Sequence, residues 1–170
     1  ALLIACLGLF LLFAFSSYFF SWKYDQSILN SFDDRSIEAN NLLGKIGATL
    51  SHILIFKGFG LGAYVFPLLL MQTGYYLGFT DKSNLFVSKL WTKGILNAIW
   101  VSVFLGFLPF NFDVLSGLVG LEVNMYLVDY IGNTGLAILL FGLLLIKLSI
   151  KYKWTTAKIR AFFLKIGARM

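Results

Sequence analysis

The sequence predicts an all-α membrane protein with four transmembrane helices and two amphipathic helices lying at, or re-entering, its outer face. Three observations carry that expectation. With 59% hydrophobic and 13% charged residues, the chain holds about half the charge of an ordinary soluble domain. Several stretches of about 20 residues have few or no charges, and at ~1.5 Å per residue each crosses a hydrocarbon core of about 30 Å. Finally, the charges gather at the ends of those stretches rather than within them.

Ala1 to Phe20 carries no charge and forms the first expected span, over residues 1–21. Leu3-Ile4-Ala5-Cys6 resembles a lipoprotein cleavage box, but the apolar run follows the cysteine instead of preceding it, so Cys6 reads as a small helix residue. A single cysteine excludes a disulfide within the chain. Tyr18, Trp22 and Tyr24 cluster where an interfacial aromatic belt belongs. From Lys23 to Asn41 the composition turns polar, with Asp25, Asp33, Asp34 and Glu38 against Lys23 and Arg35, which predicts an exposed loop. The adjacent aspartates lack a calcium-loop spacing.

Residues 42–56 read as the first amphipathic helix. At helical spacing Leu43, Ile46, Leu50 and Ile53 share one face, and Lys45, Thr49 and His52 the opposite one. The second span is expected over 58–79. Its pairs Gly58-xxx-Gly62 and Gly74-xxx-Gly78 permit close approach of another helix. Pro67 cannot donate to the Ala63 carbonyl and is expected to bend the span. Gly58-x-Gly60-x-x-Ala63 fits a dinucleotide fingerprint on paper, but no strand precedes it.

After a short connection with Lys82, Lys89 and Lys93 comes a third span over 94–112, closed by Pro109. Residues 114–130 form a second amphipathic stretch, with Leu118, Leu121, Met125 and Val128 on its apolar face and Glu122, Tyr126 and Asp129 on its polar one. The fourth span is expected over 132–150, with Lys147 snorkelling to the interface and Gly135 and Gly142 as packing glycines. A basic run, 155–170, follows as the start of a linker. A shift of 73 residues lays Gly44 on Gly117, Gly47 on Gly120, Leu54 on Leu127 and Gly62 on Gly135, so a parallel internal repeat is expected.

Charge asymmetry then sets the expected orientation. Ten Lys and Arg lie on the side of Lys82 and the tail, and four (Lys23, Arg35, Lys45, Lys57) on the other. The positive-inside rule makes the side with ten cytoplasmic, with both termini on it. Opposite charge on the two outer stretches suggests pairing of Lys45 or Lys57 with Glu122 or Asp129. No catalytic, metal or cofactor motif is legible: His52 is the lone histidine and reads as a polar-face or interface residue, and there is no phosphate loop, nucleophile elbow or zinc motif. Without an ionisable residue in the middle of a span, a coupled transporter is disfavoured.

Leu43-Gly44, Gly47-Ala48, Ser51-His52, Phe59-Gly60, Ala63-Tyr64 and Pro67, followed by Gly117, Gly120, Asp129, Gly132 and Gly135, resemble the amino-terminal four-helix membrane domain of the FtsK/SpoIIIE DNA translocases. The resemblance runs from about Ala1 to Trp154, and the loop from Trp22 to Asn41 is most similar to versions from Bacteroidetes. Ser51-His52 stands where many members show Ala-Asp, so no role of that aspartate carries over. The resemblance implies a domain of the bacterial inner membrane that localises at the division septum, self-associates as part of a hexamer, and meets other cell-division membrane proteins. It also implies a motor that pumps chromosomal DNA with ATP and Mg²⁺. No ATP- or DNA-contacting residue of that motor maps onto this chain, so no cofactor is expected in it. No methionine opens the sequence and its last residues stop in a basic run, so a piece of a longer protein is expected. The alternatives are a structural accessory subunit of an envelope complex and, third, a small transporter or channel subunit.

Overall fold

The structure, a computed structural model, describes residues 1–28, 33–34, 36, 38–80, 84–108 and 113–152. Arg35, Asp81, Lys82, Pro109 and the basic tail from Lys153 onward lie outside the described residues, and with them the expected roles of Pro109 and of the linker. The described residues are helical nearly throughout and contain no strand. They form α1 (Leu2–Ile28), α2 (Gly44–Ser51), α3 (Val65–Phe79), α4 (Asn84–Phe107) and α5 (Asp113–Tyr152). Between α2 and α3 the chain winds through a wide π-helical stretch, His52–Phe59, and a tight 3₁₀ stretch, Gly60–Tyr64.

Four helical runs are long and apolar enough to cross a membrane: Leu2–Gln26, Gly44–Phe79, Asn84–Phe107 and Val114–Tyr152. This is an all-α membrane protein. Leu2, Phe20, Phe79 and Leu85 are all exposed, as side chains turned toward lipid can be.

The first compact unit spans Ala1–Tyr126. Its contacts fix the helix directions. As the chain rises through Ala5, Gly8, Phe15 and Tyr18, its partners fall through Gly74, Pro67, Tyr64 and His52, so α1 runs antiparallel to α3. Likewise Phe86, Trp91, Gly94 and Ala98 of α4 meet Tyr76, Thr73, Leu69 and Gly62, which makes α4 antiparallel to α3 as well. Leu11, Ala14, Phe15, Tyr18, Ile55, Ala63 and Val114 form the core. The second unit, Leu127–Met170, is described through the remainder of α5, to Tyr152.

Several boundaries differ from those expected. α1 continues past Phe20 to Ile28, burying Ser21 and Asp25 on one face of its polar end while Lys23, Tyr24 and Gln26 stay exposed. α4 starts at Asn84, ahead of Gly94, and ends at Phe107. The second outer stretch and the last span form one helical run, bent at Gly117 and Gly132, both with φ of 68°.

Pro67 does not mark the bend in the second membrane run. It is the third residue of α3, in the first turn, where a missing N–H leaves no ladder bond unmade. The break falls instead at Gly58 (φ −100°, ψ −120°) and Gly60 (φ 58°, ψ −132°), where a chain without a Cβ leaves helical space cheaply.

Candidate functional site

A polar cluster is built where the end of α1 meets the start of α2. Along α1 the buried side chains change from Leu11, Ala14 and Phe15 to Ser17, Tyr18, Ser21 and Asp25. These recur at three- and four-residue spacing, so they line one face. The chain before α2 docks onto that face by its backbone. Asn40 N–H donates to Asp25 Oδ1 (2.7 Å) and Leu42 N–H to Ser17 Oγ (2.9 Å), while Asn41 Nδ2 donates to the Ala14 carbonyl (2.9 Å). Ser21 Oγ donates to Asp25 Oδ2 at 2.5 Å. Backbone amides of the chain leading into α2 are thereby paired with side chains of α1.

Asp25 is therefore a fully buried anchor for the chain entering α2, not a loop residue. Tyr18, expected in an aromatic belt, is also fully buried; of the three belt residues Tyr24 is exposed. The Tyr18 hydroxyl and His52 Nδ1 lie 2.9 Å apart in a hydrogen bond whose donor is set by the ring tautomer. The His52 ring stacks on Phe56 (5.0 Å, 16°), and Trp22 stacks on Phe56 in turn (6.1 Å, 23°). His52 is thus a buried packing residue. Ser51 Oγ beside it is buried and makes no hydrogen bond, so the pair has no nucleophile–base contact. Outside the helices, Asp34 accepts from the Ser36 hydroxyl (2.6 Å) and amide (2.9 Å), which hold its carboxyl below the usual carboxylate range.

Both amphipathic stretches bury a small and polar face. In the first, Gly47, Ala48, Ser51, His52 and Ile55 are buried, while Ile46 and Ile53 of the expected apolar face are exposed. The second buries Ser116, Gly117, Gly120 and Asn124 and exposes Leu118 and Met125. Lipid reverses the usual logic: an apolar stripe costs nothing facing hydrocarbon, whereas polar groups need partners. In the second stretch those partners are α4 groups, with Ser102 Oγ donating to the Ser116 carbonyl (2.5 Å) and Asn124 Nδ2 to the Val103 carbonyl (3.3 Å).

The packing glycines divide. A Cβ at Gly62 would lie 2.5 Å from the Ala98 carbonyl oxygen of α4, one at Gly74 would lie 2.8 Å from Ala1 O and Ala5 N of α1, and one at Gly78 would lie 3.1 Å from Ala1 Cβ. Gly58 meets only Ile53 O of its own run, Gly135 only Ile131, and at Gly142 a Cβ would meet nothing within 4 Å among the described residues.

The closest crossing involves Gly60 and Gly117, neither of which was expected as a helix-packing glycine. A Cβ at Gly60 would run into the Leu115 carbonyl, and one at Gly117 into Gly58 O and Gly60 N. Gly8 against Pro67 O and Met71, and Gly106 against Gly120 O, complete the set. Positive φ at Gly60 and Gly117 leaves no signal in a sequence beyond the glycine itself.

Within the first unit, the expected pairing of Lys45 or Lys57 with Glu122 is not found among the described residues. Lys45 donates to the Asp34 carbonyl. Lys57, Glu122 and Asp129 are exposed. Among those residues no three His, Cys, Asp or Glu converge on a metal-sized site.

Comparison with curated proteins and with solved structures gives no match. Residues 1–164 match a family described as the 4TM region of DNA translocase FtsK/SpoIIIE. That match spans all four membrane-length helices and both inward-facing glycine stretches, and the chain belongs to this family of multi-pass membrane domains.

Proposed function

We propose that the chain is the membrane anchor and self-association domain of a septal, ATP-driven DNA translocase acting in chromosome segregation and cell division. The observation that carries this reading is the family match over residues 1–164. In this reading both termini are cytoplasmic, the chain from α1 to α2 faces outward, and other division proteins of the inner membrane are its neighbours. The hexamer belongs to the full-length protein. ATP, Mg²⁺ and DNA are handled only by a motor that the residues present here do not include.

A buried polar cluster that holds backbone in place, with no nucleophile and base in contact among the described residues, suits an anchor. The test is localisation of a fluorescent fusion of this chain in dividing cells of its own host. A band at mid-cell is the expected result. A uniform membrane signal, in cells whose other septal proteins still form a band, overturns the septal role. Cysteine placed at Ser36 is expected to react with an impermeant maleimide from outside, and its protection until lysis would overturn the orientation.

A further inference from the structure

Gly62 is turned to α4 and Gly74 and Gly78 to α1, so the glycine faces of the second membrane run are occupied within the chain. Another face of α3 is exposed among the described residues. Leu68, Gln72, Tyr75 and Phe79 are all exposed and follow one another at four, three and four residues. That spacing is the seam of a helix meeting another at a shallow angle. Tyr75 and Phe79 already form one ridge, with ring centroids 5.6 Å apart.

Gln72 is the anomaly in that ridge. It is exposed, makes no hydrogen bond among the described residues, and stands seven residues before the end of α3 at Phe79. At ~1.5 Å per residue that is roughly 10 Å from the helix end, well inside a hydrocarbon layer of about 30 Å. An amide held there without partners is costly. The partner must therefore present both a donor and an acceptor at the same depth.

We infer that the Leu68, Gln72, Tyr75 and Phe79 face of α3 is a self-association surface, on which Gln72 bonds Gln72 of a second copy of this chain. An amide is its own complement, having an acceptor oxygen and two N–H donors. A second copy inserted in the same orientation places its Gln72 at the same depth, which no other membrane partner is bound to do. One polar residue in an apolar seam also fixes register, as a lone buried polar position does in coiled coils. The inference deepens the self-association part of the anchor reading and rests on it.

The test uses the whole chain in membranes, with Cys6→Ser removing the lone cysteine. Oxidation of Leu68→Cys and Tyr75→Cys, which leave Gln72 in place, is expected to give a covalent dimer, while Leu77→Cys, exposed off the stripe, stays monomeric. Equal cross-linking at all three positions would mean random collision and overturn the surface. In liposomes at low density, Gln72→Leu is expected to weaken dimerisation about tenfold and Gln72→Asn to retain most of it. Leucine suits a lipid-exposed site, so helicity should not change. If the wild type associates and Gln72→Leu does so equally well, the interface is wrong and the anchor reading survives. A wild type that is monomeric at every density removes both the interface and self-association.

Discussion

The stretches that begin at Gly44 and Gly117 use one backbone device for two purposes. Both glycines take a left-handed φ, 62° and 68°, and both stand three residues before a glycine that is buried, Gly47 or Gly120. Four residues further on, each buries a polar side chain, Ser51 or Asn124. Their surroundings differ. At Gly44 a Cβ would meet nothing within 4 Å, whereas Gly117 is pressed against the backbone of Gly58 and Gly60. The first glycine turns the chain and the second also lets two backbones touch. Equivalent glycines thus carry unequal loads, which a repeat in the sequence does not reveal.

Alanine separates the two. At Gly117 it adds left-handed strain to a backbone collision, and a loss of about 3 kcal/mol is expected. At Gly44 only the strain remains, about 1 kcal/mol. Unfolding midpoints in mild detergent measure both, and equal losses would break the distinction.

Asp25→Ala should come next in size. It strands the Ser21 hydroxyl and the Asn40 amide, for a loss of about 2 kcal/mol. Hydrogen exchange at Asn40 and Leu42 should then accelerate while the Gly117 crossing stays protected; uniform acceleration would show that the two regions are not independent.

The smallest effect lies in the turn at Asp34. Its carboxyl is depressed by Ser36, so whatever the turn contributes is present above the unfolded aspartate pKa and lost as pH falls through the lower folded one. Ser36→Ala should raise the Asp34 titration toward the ordinary range by NMR, with no change at Gly44 or Gly117.

Lengths of uncharged chain made the four membrane-crossing runs legible, because lipid demands little else of a span. Direction of burial was not legible. Leu43, Ile46, Leu50 and Ile53 have the periodicity that in water marks a core face, yet Ile46 and Ile53 point outward and His52 inward. Asp25 looked like loop because a carboxylate is rarely buried, and only the docking amide of Asn40 explains it. Pro67 drew attention as a helix breaker, but its place in a first turn makes it harmless, and the bend went to Gly58 and Gly60. Gly8, Gly60 and Gly117 differ from other glycines only through what lies beside them.

The wide winding of His52–Phe59 has a further consequence. Gly60, the second left-handed glycine of the first stretch, follows Gly44 by 16 residues, while Gly132 follows Gly117 by 15. A π-helical turn bonds each residue to one a place further along than an α-turn does, so it holds one added residue. The offset of 73 between Gly44 and Gly117 becomes 72 between Gly60 and Gly132, and the wide winding of His52–Phe59 lies within the longer interval.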